Sequence, residues 1–383
     1  MNHVTSRRRP PMHLCGTGVI LIASLGAHTV AHEGHAHASP ARVTWERAGL
    51  SDVVTSASAT SRLGRATTID CDDPLLTAWR RADGSTGTSD DQSIFDEVSD
   101  VLADIATIAF DDDWVYVRTS GIPSHPVGPF GNGLPSNLGD LDATYRVSRH
   151  PEPETGEPFQ TLLGSIGVMV NGATFFNASD GHHWDPDTGE FTPGLGAWNV
   201  NALWFRAPGM DDAAGHPAPP MGPGGGFALY HYHRSPVGLL MQLDPDNTGD
   251  HHSPIIGFAF DGYPVYGPWA YANGVNDGEG YRAMTSSWQV GDDSVRGANG
   301  PSATEFEMGS FIEDFVYVEG AGTLNQFNMA FVHTPEYPDG TWAYFVTEDQ
   351  VGQSGQTDLD GAVSYPYILG PRYFGVVDRQ SVL

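Results

Sequence analysis

The chain has 383 residues, 39% of them hydrophobic and 11% aromatic, so it can bury a sizeable core and global disorder is excluded. It carries 18 basic residues, all of them arginine, against 47 acidic ones, which gives a formal net charge of −29. A field of this sign disfavours the neutralisation of phosphates, so we expect neither nucleic acid nor anionic lipid as a partner. The 47 Gly and 28 Pro predict many turns and few long helices.

Residues 1–31 have the layout of an export signal. Arg7, Arg8 and Arg9 form a positive region, an apolar stretch follows, and small residues precede a predicted cleavage after Ala31. The apolar stretch is too short for a permanent anchor, and no later segment is long and apolar enough to cross a membrane. We therefore expect a periplasmic or extracellular chain without an integral membrane segment. Removal of the signal leaves Cys71 as the single cysteine, so no internal disulfide can form.

Residues 32–42 form a leader rich in histidine. After cleavage, the terminal amine and imidazole of His32 could chelate copper, and His35 or His37 could complete the set. The alternative is a flexible leader that scavenges metal, because the segment has nothing apolar to dock it.

Residues 43–104 are rich in Ser, Thr and Ala with weak periodicity, and we interpret them as a loosely ordered N-terminal segment. Apolar residues at helical spacing over 93–108 predict an amphipathic helix. The competing interpretation is a strand over 101–110, a turn of three Asp, and a return strand over 114–117. The β-branched and aromatic return strand favours the hairpin for the second half of this region.

Short apolar runs separated by turn residues continue from Gly121 onward. Asn171-Gly172 lies between two such runs and predicts a tight hairpin, and Asp261-Gly262 repeats the pattern. Pro264 would confine its strand to a sheet edge or a bulge.

Further strands are predicted over 315–318 and 342–346, and a long loop over 177–228. No repeat of domain length is evident. The pattern predicts a mostly β fold, a sandwich or barrel-like single domain with long irregular loops.

Histidine is unevenly distributed along the chain, and the sharpest cluster is Tyr230-His231-Tyr232-His233. On a strand, His231 and His233 project to the same face, about 6.6 Å apart along the chain, and can converge on one ion. A third ligand must come from elsewhere, and the nearby candidates in sequence are His216, His251 and His252. Imidazoles suit copper and zinc. The alternative is a hydrogen-bonded polar groove without metal.

The same residues resemble the signature of the YHYH domain family. The resembling segments are 230–233, 252–268, Gly215-His216-Pro217, Thr334–Pro338, Gly340–Phe345 and Ser120–His125. The resemblance covers roughly residues 105–375 and implies an exported protein whose paired histidines have a ligand or metal role. The chain departs from the family at 324–330, where many members carry an acidic, cysteine-bearing stretch, so any function of that stretch is in doubt here.

Acidic residues provide weaker candidates. Asp244, Asp246 and Asp250 surround a Gly turn and could hold calcium, although such strings are often plain turns. Asp261 and Glu336 are candidate general bases if a metal-bound water lies nearby. For both residues a turn or loop role is the alternative.

Three functions remain open at this point. The first is metal handling or sequestration with copper or zinc, and the second is a metal-dependent hydrolase or copper oxidoreductase at the same site. The third is a calcium-assisted module that binds a glycan or another small molecule on an aromatic platform, whose candidate members are Trp184, Trp198, Trp204, Tyr263 and Trp269.

Overall fold

The structure is a computed structural model that describes residues 73–90, 101–131, 133–220, 226–347 and 364–378. The predicted signal, the histidine leader with His32, His35 and His37, and Cys71 lie outside these ranges. Within the ranges the chain is mostly β, as predicted, and its sheets do not close into a barrel. No helix among these residues has the length and apolar character needed to cross a bilayer.

Eighteen strands and three short α-helices occur in the described residues. The strands are β1 (Ile105–Phe110), β2 (Trp114–Thr119), β3 (Ala143–Ser148), β4 (Ser165–Met169), β5 (Thr174–Phe176), β6 (Ser179–Asp185), β7 (Glu190–Pro193), β8 (Trp198–Asn201), β9 (Gly215–Ala218), β10 (Leu229–Tyr232), β11 (Ile255–Ala259), β12 (Pro264–Tyr266), β13 (Trp269–Tyr271), β14 (Tyr281–Ala283), β15 (Trp288–Val290), β16 (Phe315–Tyr317), β17 (Met329–Val332) and β18 (Thr341–Phe345). The helices are α1 (Pro74–Thr77), α2 (Ala202–Arg206) and α3 (Val237–Leu243), and 3-10 turns occur at Ala207–Gly209, Asp293–Arg296 and Ile312–Asp314.

An eight-stranded sheet forms the centre, in the order β17-β18-β12-β11-β4-β5-β10-β9. Its interior strands are near-continuous apolar runs; all five residues of β11, for example, are buried. A three-stranded sheet of β1, β2 and β3 packs its buried valines into the same core, and β6, β7 and β8 form another small sheet. The main core therefore surrounds the central sheet, and β9 and β10 lie at one edge of it.

The three predicted hairpins and the two later strands are confirmed. β1 pairs with β2, β4 with β5, and β11 with β12, each in antiparallel register. Residues 105–108 belong to strand β1, so the helical interpretation of 93–108 is wrong where the structure describes the chain. The described residues 73–90 pack on the domain, with Leu75 and Trp79 in its core.

Two other expectations are wrong. β12 is an interior strand between β11 and β18 although it contains Pro264, so the edge alternative is wrong, whereas the pairing of β11 with β12 does contain a bulge. The proline is tolerated because it is the first residue of the strand and the pairing with β18 begins at Val265. The segment 177–228 is not a loop in its described part, since it contains β6, β7, β8, α2 and β9. Its mixed composition hid these short strands.

The central sheet has an internal two-fold pseudosymmetry, of which the sequence indicated only the two similar hairpins. The hairpins β4–β5 and β11–β12 correspond with an offset of 90 residues, and they pair with each other about Val168 and Phe258. The bulge between Ser165 and Gly167 recurs between Ile255 and Gly257. Each hairpin then receives a parallel strand, β10 or β18, which in turn carries an antiparallel edge strand.

The equivalence extends to buried hydrogen bonds. Asn171 at the first hairpin turn donates to the Tyr232 hydroxyl at 3.2 Å, and the Tyr344 hydroxyl donates to Asp261 at the second turn at 2.6 Å. By the same registers, His216, His231 and His233 correspond to apolar residues in the other half, namely Ala330, Ala343 and Phe345. One half therefore carries a histidine cluster where the other carries packing residues.

Close approach at the pseudosymmetry axis requires glycine. A Cβ on Gly167 would lie 2.2 Å from the Phe175 ring and 2.6 Å from the Phe258 carbonyl oxygen. We therefore expect Gly167→Ala to lower the free energy of unfolding by about 1–3 kcal/mol, because an overpacked core must shift its backbone. Denaturant unfolding measures this loss. Gly156→Ala, whose methyl meets only the Glu154 side chain, is the control; equal losses in the two variants would contradict the argument.

Candidate metal centre

Three histidines converge at the edge of the central sheet. His216 on β9 lies directly opposite His231 on β10, and His233 follows just after the end of β10. Each residue offers a ring nitrogen, and the three atoms lie within 4.8 Å of one another. Among the described residues this is the single such group of three or more His, Cys, Asp or Glu. The structure thus brings together three of the five histidines that the sequence singled out.

Backbone carbonyls fix the tautomers of the paired histidines. Nδ1 of His231 donates to the Leu229 carbonyl at 3.0 Å, and Nδ1 of His233 donates to the Asn177 carbonyl at 2.6 Å. Since a carbonyl can only accept, both Nδ1 atoms carry the proton and both Nε2 atoms of the neutral rings present lone pairs. The two Nε2 atoms are 3.0 Å apart. Two lone pairs at this distance repel each other unless a cation lies between them.

His216 supplies the third face of the cluster. Neither of its ring nitrogens has a hydrogen-bonding partner of normal geometry, although the residue is buried. A buried polar atom without a partner is costly, and binding an ion would remove that cost. Phe176 on β5 also packs on the cluster, with its ring stacked on His231 at a centroid distance of 3.8 Å.

Burial keeps all three imidazoles neutral. It lowers the pKa of His216 to about 2 and that of His233 to about 4, and it lowers the pKa of His231 well below its ordinary value. Neighbouring imidazoles lower the pKa values of His216 and His231 further, because two positive charges would be adjacent. Their lone pairs are therefore free for coordination near neutral pH.

The two tyrosines of the motif point to the other face of β10 and anchor it. The Tyr230 hydroxyl donates to Asp211, which also accepts the backbone N–H groups of Gly128, Ala213 and Gly215. This carboxylate therefore holds the start of β9, one residue before His216. Burial raises the pKa of Asp211 to about 6. Sequence reasoning missed Asp211, because its partners are distant in the chain and nothing in its own neighbourhood indicates the role.

A charged network lies beside the histidines. The Asp180 carboxylate pairs with Arg206 Nε and accepts from His182 Nδ1 at 2.8 Å. The positive charge of Arg206 helps to lower the pKa values of all three clustered histidines, whereas Asp180 opposes this effect at His233. Asp180 thus offsets part of the positive charge of Arg206, which would otherwise repel a cation from the site.

The two remaining histidine candidates lie elsewhere. His252 packs among Tyr266, Tyr271 and Phe345, and its Nδ1 donates to the Ser253 carbonyl. His251 is exposed and lies between two carboxylates, Asp244 at 3.0 Å and Asp250 at 2.7 Å. The chain turns away from the β9–β10 edge through α3 before reaching them, so proximity in sequence did not translate into proximity in space.

The acidic candidates are also dispersed. The Asp261 carboxylate is fully buried and accepts from Tyr344 and from the backbone of Gly375, and burial raises its pKa to about 6. Glu336 accepts from the Tyr266 hydroxyl at 3.0 Å. Both residues belong to the half of the sheet that lacks the histidines. Asp244 and Asp250 converge on His251 while Asp246 is exposed, and a calcium role for this loop stays a prediction.

The proposed aromatic platform is not assembled. Trp184, Trp198 and Trp204 pack around Phe306 and Phe311 in a separate small core. Trp269 donates its indole N–H to Asn247, and Tyr263 is buried against Phe374.

The fold and the site define a class: a mostly β protein with three histidines converging on adjacent strands. The sequence profile of the family described as YHYH protein matches residues 144–353, more than half of the chain, and the chain belongs to this family. This confirms the resemblance seen in the motifs. Comparison with curated proteins and with solved structures gave no significant match.

Proposed function

We propose that this protein binds one divalent transition metal, zinc or copper, through His216, His231 and His233. The observation that carries the proposal is the pair of Nε2 lone pairs 3.0 Å apart, with both opposite nitrogens bound to carbonyls. Metal-ligating histidines characteristically donate their other N–H to a carbonyl or carboxylate, which fixes the ring orientation. The third imidazole lies within reach without any other partner.

The spacing fits a small tetrahedral ion. Two nitrogens bound to zinc at their usual bond length lie roughly 3.3 Å apart, close to the separation of the two Nε2 atoms. Three neutral imidazoles suit zinc and copper, and the absence of thiol ligands in the cluster argues against a Cys-rich zinc site.

Burial favours metal handling over turnover. His216, His231 and His233 are each less than 5% exposed, and Phe176 covers one face of the cluster. A catalytic metal needs an open coordination position and a nearby acid or base. The two candidate bases, Asp261 and Glu336, hydrogen-bond within the opposite half of the sheet, and the carboxylate beside the cluster, Asp180, is already paired with Arg206. We therefore propose that the protein handles or sequesters the metal after export. The export part of this proposal rests on the signal-like segment 1–31.

Metal content tests the proposal. We expect the protein to retain about one zinc or copper ion per chain at this site after dialysis, measured by elemental analysis. The variant His216→Ala/His231→Ala/His233→Phe, here called the counterpart variant, introduces the residues that the other half of the sheet carries. It should lose about one equivalent while keeping its fold.

His251→Ala is the matched control, because it removes a histidine that is near in sequence but outside the cluster. Its metal content should equal that of the wild type. The histidines at 32, 35 and 37 are present in all the proteins compared, so the difference between variants reports on the cluster alone. A counterpart variant that folds and retains the full metal content would refute the proposal.

A further inference from the structure

A second candidate site lies in an open-sided cavity of about 230 Å³. Six of its lining residues are Gln160, Ser179, Asn199, Trp288, Glu313 and Phe315. The cavity is distinct from the histidine centre, which contributes no lining residue. The two sites have only Asn177 in common. This residue lines the cavity, and its backbone carbonyl accepts the hydrogen bond from His233.

Glu313 gives the cavity a carboxylate without a counter-ion. Its two oxygens accept from Asn199, from the side-chain amide at 2.6 Å and from the backbone N–H at 2.7 Å, and both donors are neutral. Among the described residues, no Arg or His lies within ion-pair distance of Glu313. Its neighbour Asp314, by contrast, is paired with Arg296 at 2.6 Å. Each Glu313 oxygen has accepted one hydrogen bond and can still accept another.

Aromatic rings form another part of the wall. Phe315 is fixed by stacking on Tyr365 at a centroid distance of 4.2 Å. The Trp288 indole N–H is already bonded to the Gln326 carbonyl at 3.1 Å. The Trp288 indole N–H is therefore already used, and its contribution to a ligand is through the ring. The faces of such rings carry partial negative charge.

We propose that this cavity binds a small organic cation through its ammonium group. The group would contact the Glu313 carboxylate and the ring faces of Trp288 and Phe315, which together attract a positive charge and no anion. The net charge of −29 raises the local concentration of such cations. The cavity is smaller than the pockets that take drug-sized ligands, so the ligand is a small one.

Calorimetry with choline tests the proposal on the full-length protein. Its neutral isostere 3,3-dimethylbutanol has nearly the same shape without the charge. We expect choline to bind and the isostere to bind roughly 30-fold more weakly, as for a desolvated cation on aromatic rings. Equal affinities for the two compounds would overturn the proposal, and so would binding of glucose with no binding of choline.

Substitution locates the binding within the chain. Glu313→Gln keeps the size and an accepting oxygen but removes the charge, and we expect choline affinity to fall roughly 5-fold, less than with the isostere, because the aromatic rings still attract the cation. The control Glu305→Gln makes the same charge change at an exposed position outside the cavity and should leave the affinity unchanged. Full affinity in Glu313→Gln would overturn the proposal. Because the isostere comparison uses the wild type, it stands even if this variant misfolds, and it does not depend on metal binding.

Discussion

Lowering the pH from 7 to 5 is expected to destabilise the metal-free protein through its histidine cluster. Burial disfavours the charged rings and lowers the folded-state pKa from the unfolded value of 6.5 to about 2 for His216 and to about 4 for His233. Below pH 6.5 the unfolded chain therefore binds more protons than the folded one. The stability is fully present above pH 6.5 and is lost as the pH falls toward the folded pKa values. At pH 5 each of the three imidazoles lowers the free energy of unfolding by about 2 kcal/mol relative to its value above pH 6.5.

Comparison of variants isolates this effect from opposing groups. Asp211 and Asp261 have raised folded pKa values, so acid relieves their burial and stabilises the folded state over part of the same range. Both carboxylates are present in the counterpart variant and in the wild type, so their contributions cancel when the two proteins are compared. We expect the wild type to lose about 6 kcal/mol more than the variant between pH 7 and pH 5, measured by urea unfolding with a chelator present. Parallel pH profiles would show that the imidazoles are not held neutral.

Breaking the buried Arg296–Asp314 pair should cause the second large effect. Arg296 donates to both oxygens of Asp314 at 2.7 and 2.6 Å and to the carbonyls of Phe306 and Glu307. Arg296→Met leaves the fully buried Asp314 carboxylate without a cation. Loss of one partner of such a pair costs about 3–5 kcal/mol of unfolding free energy.

The exposed pair Arg118–Asp142 provides the matched control. Both of its side chains are more than half exposed, so Arg118→Met should cost less than about 1 kcal/mol. Guanidinium unfolding of the two variants measures the difference. Adding Asp314→Asn to Arg296→Met should recover part of the stability, because the unpaired charge is then removed. A loss in Arg296→Met no larger than in the control would contradict this account.

The Arg296–Asp314 pair also shows why the cavity carboxylate escaped sequence reasoning. Asp314 accepts from the backbone at Gly309 and Phe311 and so holds the 3-10 turn that carries Glu313. The order Glu-Asp in the chain gives no indication that one carboxylate is paired and the other faces a cavity. That distinction depends on Arg296 and Asn199, which lie 18 and 114 residues away from their partners.

The third ligand of the histidine centre could not be chosen from the sequence for the same reason, because it depends on contacts between distant residues. The alternation Tyr-His-Tyr-His indicated that two imidazoles share one face of a strand, and the structure confirms it. The sequence left His216, His251 and His252 as near-equal candidates for the third ligand. The antiparallel pairing of β9 with β10 puts His216 opposite His231, while α3 carries the chain to His251 and His252 away from that edge.

Local signals in the sequence determined the mostly β class, the hairpins at Asn171-Gly172 and Asp261-Gly262, and the family. These features depend on side-chain alternation and on glycine turns, which act over a few residues. The order of strands in the sheet, its pseudosymmetry, the third histidine and the paired or unpaired state of each buried carboxylate were decided by the tertiary structure. They depend on contacts between residues tens to hundreds of positions apart, which no local pattern encodes.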